Sequence, residues 1–168
     1  MNFSIGWGKE TITFSMPEEH RVGPAATLTI LPKLEKQWRI IHDFKPVSYE
    51  RHVRYALALC KEGNVVMSIA FNSITTVVKC ISEHWPKVVC NTGGVPRLGE
   101  WTTIEIFNEE EEMGKCTFSV IIGGKRVFRE DNEGSRDLTD VCVRLAPYST
   151  DDGMQQGYIR RLSIMTKK

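Results

Sequence analysis

Apolar and polar residues alternate along this chain with a period of two far more often than with the period of a helix. In YALALC, Tyr55, Leu57 and Leu59 share one face, and Ala56, Ala58 and Cys60 the other. VVMSIAF repeats the pattern, setting Val65, Met67, Ile69 and Phe71 against Val66, Ser68 and Ala70. The link KEGN carries Gly63 and Asn64, residue types that tolerate the positive φ of a tight hairpin. Further strands are predicted at ETITF, ATLTIL, WRIIHDFKP, WTTIEIF, DVCVRLAP and YIRRLSIM. KCTFSVIIGGKRVFRE reads as two more, joined at Gly123-Gly124. The total is about a dozen short strands at the turn spacing of a sandwich or barrel.

Prolines and glycines fall mostly between these runs, as breakers should. The acidic run Glu109 to Glu112 precedes Gly114 and is expected at a solvated loop tip, because like charges repel. A single open sheet of so many strands would leave an apolar face wet, so two packed sheets are predicted. The expected fold is an all-β, antiparallel two-sheet sandwich of the jelly-roll type. It forms one domain over 1–168, with amino-terminal strands in 1–36 packing on a core sandwich over 37–165.

Composition narrows the function classes. With 22 basic and 21 acidic residues the net charge is +1, and no Lys or Arg run stands out, so nucleic-acid binding is not expected. No apolar run approaches the roughly 20 residues of a membrane-spanning helix. The amino terminus MNFSIGWGKE lacks a basic region followed by an apolar block. It fits a cytoplasmic or leaderless secreted protein, or an extracellular one whose leader has been removed. Five cysteines with no CxxC pair argue against zinc and for buried thiols, with Cys80 and Cys90 as a possible bridge across a hairpin in a secreted protein.

The order of features resembles the concanavalin A-like and laminin G-like sandwiches. QWRIIHDFKP is similar to their opening core strand, followed by the hairpin YALALCKEGNVVMSIAF, by GEWTTIEI, by CTFSVIIGGKRVF and by the closing strand GYIRRLSI. The likeness spans roughly Gln37 to Met165. It implies a lectin-like fold that binds on one concave sheet or on a rim of loops. FNSITTVVK and VVCNTGGVPRLGEW follow the order of galectin motifs. The His and Arg that galectins place with an Asn such as Asn72 are missing, which speaks against galactoside binding in the galectin manner. The Glu-x-Asp-x-x-Glu cluster of the hydrolases of this fold is also absent, and Glu105 is the one carboxylate between Trp101 and Phe107.

The candidate binding residues are Trp85, Asn91, Arg97 and Trp101. Parity puts Trp101 opposite Ile104 and Ile106, so core isoleucines would send the indole outward beside the loop TGGVPRLGE. There an indole can stack on the apolar face of a pyranose, while Asn91 and Arg97 bond hydroxyls. The alternative is a Trp101 that plugs the end of the sandwich. Pro86 holds Trp85 extended. His84 reads as a surface loop residue. His42 reads as a core histidine, and Asp43, next along the strand, points to the opposite side. Asp131, Asn132, Glu133 and Asp137 offer oxygens for calcium, although a solvated loop is the simpler reading and no cofactor is required.

The expectation is therefore a non-catalytic, lectin-like recognition module for a glycan or glycoprotein. The competing class is a protein-interaction or structural sandwich, with a protein partner or a second copy as its occupant. A glycoside hydrolase is the third.

Overall fold

A computed structural model describes residues 10–22, 28–34, 37–46, 55–62, 64–71, 76–81, 86–91, 96–112, 115–132, 141–147 and 157–167. The alternation seen in QWRIIHDFKP organises it. On the strand Gln37–Pro46, Trp38, Ile40 and Phe44 point into one apolar cluster, and Arg39, Ile41 and Asp43 between them face away. The described residues form thirteen strands.

In chain order they are β1 (Glu10–Met16), β2 (His20–Val22), β3 (Leu28–Leu34), β4 (Gln37–Pro46), β5 (Tyr55–Lys61), β6 (Asn64–Phe71) and β7 (Thr76–Ile81). They continue with β8 (Pro86–Asn91), β9 (Thr102–Glu112), β10 (Lys115–Ile122), β11 (Lys125–Asn132), β12 (Val141–Pro147) and β13 (Gly157–Lys167). A seven-stranded sheet runs β1-β13-β4-β9-β10-β11, with β2 also on β13, and a six-stranded sheet runs β3-β12-β5-β6-β7-β8. The ladders are antiparallel. This is the all-β jelly-roll sandwich that the patterning predicts.

Between the sheets, Trp38, Ile40, Phe44, Ile104, Ile106, Phe118, Val120, Ile159, Leu162 and Ile164 meet Leu34, Leu57, Leu59, Met67, Ile69 and Val143 in one core. Each such side chain contributes roughly 1.5–3 kcal/mol when fully buried. Trp38 and Phe118 meet edge to face at 6.1 Å between centroids, and Phe118 meets Phe128 at 5.9 Å. Such ring pairs add about 0.5–1.5 kcal/mol beyond area. No helix among the described residues is long and apolar enough to cross a membrane.

Four local expectations need correction. The acidic run is no loop tip: Glu109 to Glu112 extend β9, with Glu109 opposite Thr117 and Glu112 opposite Lys115. Pairing on both sides makes this possible, since Arg39 of β4 takes the Glu109 carboxylate and the Gln37 side chain accepts the Glu110 backbone N–H at 3.1 Å. In the β5–β6 hairpin Lys61 pairs with Asn64, so Asn64 is already strand, and Glu62 adopts the positive φ of 51°. Cys80 faces Lys87 and Cys90 faces Val77. That three-residue offset is about 10 Å along the strand, beyond the reach of a disulfide. Lastly, Asp131 and Asn132 belong to β11 and not to a loop, because β10 pairs with them through Thr117 and Cys116. The Gly123-Gly124 turn is as read, with φ of 58° and 81° between paired Ile122 and Lys125.

Candidate functional site

The outer face of the seven-stranded sheet carries an assembly of charged and aromatic side chains at one end. Its centre is Asp43 on β4, 3% exposed. Register places it between Thr103 of β9 and Arg160 of β13. The Thr103 hydroxyl donates to Oδ1 at 2.8 Å. Arg160 Nε donates to Oδ2 at 3.2 Å and Arg161 Nε to the same oxygen at 2.7 Å, with Arg161 Nη2 adding a further ion pair.

Two consecutive strand residues ordinarily point to opposite faces. Here a bulge overrides that rule. Arg160 is paired with Asp43 and Ser163 with Ile41, so Arg161 and Leu162 together span the single position of His42. Arg161 takes φ of 51°, and its N–H donates to the Pro17 carbonyl oxygen at 3.2 Å. A bulge re-aims side chains. Both guanidinium groups therefore reach one carboxylate while Ile159 and Leu162 remain in the core.

Burial is the largest influence on the Asp43 carboxyl and pushes its pKa up. The hydrogen bonds from Arg161, Thr103 and Arg160, with the Arg161 charge, outweigh it and hold the group below its ordinary value. An ionised carboxylate with three donors is a poor general acid. On the opposite face His42 is fully buried, and desolvation pushes its pKa down to about 4 against a small upward pull from Asp43.

Trp101 completes the cluster. The Arg97–Glu100 turn closes with the Glu100 N–H on the Arg97 carbonyl at 3.2 Å. Gly99 supplies the φ of 73° that the third position of a type II turn requires. The Gly99 N–H donates to the Pro46 carbonyl at 2.8 Å, pinning the turn to the end of β4. The half-buried Trp101 ring then has Arg160 Cζ at 4.1 Å and Lys45 Nζ at 4.8 Å from its centroid. Lys45 Nζ also lies 5.1 Å from the Tyr158 ring, on the residue paired with it across β13. Cation–π contacts of this kind are worth roughly 0.5–1 kcal/mol when exposed.

Of the four residues chosen from sequence, Trp101 lies in this cluster, and Arg97 is exposed on the adjoining turn. Trp101 points outward, away from Ile104 and Ile106, rather than plugging the end of the core. The indole is less open than the sequence implied, since cations already lie over it. Asn91 ends β8 in the other sheet, opposite Thr76, and Trp85 lies outside the described residues. Of the calcium candidates, Asp131 and Asn132 sit within β11, and Glu133 and Asp137 lie outside the described residues. Sequence reasoning missed Lys45, Thr103, Tyr158, Arg160 and Arg161, and treated Asp43 only as a residue facing away from His42. The one available signal was the three-residue step between Ile159 and Leu162 in an otherwise alternating strand.

No family model matches the chain, and no curated protein matches it. Solved structures of similar fold do exist. An endo-beta-1,4-glucuronan lyase from the fungus Trichoderma reesei aligns at a TM-score of 0.61 and 8% identity, over 98% of this chain and 92% of that one. An alginate lyase aligns at 0.65 and 8% identity, covering 91% and 75%. The receptor binding domain of botulinum neurotoxin type G aligns at 0.60 and 10% identity over 94% of this chain, which spans about half (48%) of that one. At such identities the likeness establishes the sandwich fold alone.

Proposed function

We propose that this chain is a non-catalytic recognition domain that binds carbohydrate at the charged, aromatic end of the outer sheet face. The observation that carries the reading is the gathering of Trp101 and Tyr158 with Lys45, Arg160 and Thr103 on adjacent strands. Rings supply apolar contact to a pyranose, and fixed donors around them take its hydroxyls. Arg97 on the neighbouring turn extends the donor set. Lys45 and Arg160 hold the two rings in place, so a sugar meets a preorganised surface that need not be assembled on binding.

Folds of this shape in a glucuronan lyase and in an alginate lyase solved in complex with dimannuronate support a link to saccharides at the coarse level. Against catalysis stands the commitment of Asp43 to two arginines and a threonine, which leaves it unsuited to proton transfer. The test is a glycan array probed with the wild type, Trp101→Ala and Tyr158→Ala, each checked by thermal melting. Loss of binding in the folded variants is expected. Undiminished binding by a folded Trp101→Ala protein would refute the site.

A further inference from the structure

We infer that the saccharide taken at this site is anionic, carrying carboxylate or sulfate groups; the inference rests on the carbohydrate reading above and specifies its ligand. Three cations, Lys45, Arg160 and Arg161, stand here against one buried carboxylate, Asp43. Arg97 and Glu100 on the turn are both exposed and offset one another. The other described carboxylates on this face along β9 are Glu105, two positions beyond Thr103 and paired with Ile41, and Glu109, which is answered by Arg39. The cluster thus keeps an excess of positive charge in a chain whose net charge is only +1.

The hydrogen-bond geometry shows where that charge remains available. Asp43 engages Arg160 through Nε. It engages Arg161 through Nε and Nη2. Among the described residues, both terminal nitrogens of Arg160 and Nη1 of Arg161 carry no further bond to a carboxylate. The Arg161 side chain is 66% exposed and that of Arg160 is 37% exposed. Lys45 contacts two aromatic faces and, among the described residues, no acidic group. Asp43 therefore acts as an anchor. It fixes two guanidinium groups at one edge, where their outer N–H groups suit the planar, paired oxygens of a carboxylate or the oxygens of a sulfate. A neutral sugar would leave these charges unanswered.

The experiment is a titration by calorimetry of three size-matched probes. They are cellotetraose, a β-1,4-linked glucuronate tetrasaccharide and a sulfated cellotetraose. At least one anionic probe is expected to bind about tenfold or more tighter than the neutral one, the equivalent of one charge-assisted hydrogen bond. Its affinity should fall as salt rises from about 50 to about 500 mM. The two anionic arms tell carboxylate from sulfate recognition. Lys45→Gln and Arg161→Gln should each weaken the anionic probe severalfold, and Lys125→Gln, at the exposed start of β11, should not. Melting curves confirm folding, and Lys45→Gln leaves the Asp43 ion pairs intact.

Equal or tighter binding of cellotetraose would overturn the inference and leave the carbohydrate reading standing. So would anionic binding that is lost equally in Lys125→Gln or retained in both site variants. Failure of all three probes to bind would remove the carbohydrate reading and this inference together.

Discussion

His42 and Asp43 are neighbours on β4, both withdrawn from water, and they end in opposite electrical states. His42 lies among Ile40, Phe44 and Ile104 on the inner face, and burial keeps its imidazole neutral. Asp43 lies on the outer face, where two arginines and a threonine keep its carboxylate charged. Withdrawal from water penalises charge in both cases, and the groups on the far side of the strand decide whether the penalty is met. One sheet therefore has a face built for packing and a face, at this end, built for polar contact.

The largest expected contrast comes from truncating the inner face. Trp38 is fully buried and stacked edge-on against Phe118. Trp38→Ala should cost about 3–5 kcal/mol in urea unfolding. An outer-face truncation such as Lys45→Ala should cost under about 1 kcal/mol, because its contacts are exposed cation–π pairs. Comparable losses for the two would show that the faces do not differ as described.

Acid titration comes next. The folded pKa of His42, about 4, lies below the ordinary 6.5, so the neutral ring favours the fold. That contribution is complete above about pH 6.5 and is lost as the pH falls toward 4, a change of about 3 kcal/mol. Equilibrium unfolding between pH 7.5 and 4.5 measures it, and His42→Leu should flatten the profile in that window. The Asp43 contribution occupies a lower range. Its folded pKa is depressed, so its stabilisation holds above the ordinary value near 3.8 and disappears as the pH drops through the folded one. Asp43→Asn should therefore cost about 1–3 kcal/mol at neutral pH, as loss of hydrogen bonds to a charged group does. The exposure of both arginines argues for the lower end. The difference from wild type should close below pH 4.

These contrasts also explain how much could be read from sequence. The inner face was legible because apolar residues at Trp38, Ile40 and Phe44, and at Ile104 and Ile106, repeat with the strand period, and burial enforces that period. The antiparallel sandwich followed from it, as did the outward direction of Trp101. The outer cluster was not legible, since its members come from β4, β9 and β13, which are far apart in sequence and joined only by register. Strand parity alone sets Arg160 and Arg161 on opposite faces, and only the bulge brings them together. Side-chain chemistry in RR carries no mark of that backbone choice. The acidic run was misread for a related reason. Charge repulsion argued for solvent, but the partner that answers Glu109 lies 70 residues earlier.

The smallest effect tests that last point. Arg39 pairs with Glu109, with each side chain about one-fifth exposed, and its guanidinium lies 5.0 Å from the Phe107 ring centroid. Glu110, next along β9, is exposed, and its backbone N–H donates to Gln37. Since alternate glutamates face opposite ways, their carboxylates are not equivalent even though the letters are identical. Glu109→Gln should cost up to about 1 kcal/mol, the range of a partly exposed ion pair, and the cost should shrink in high salt. A negligible effect that does not change with salt would mean that Glu109 gains nothing from Arg39 and that the strand extends through the acidic run on backbone pairing alone.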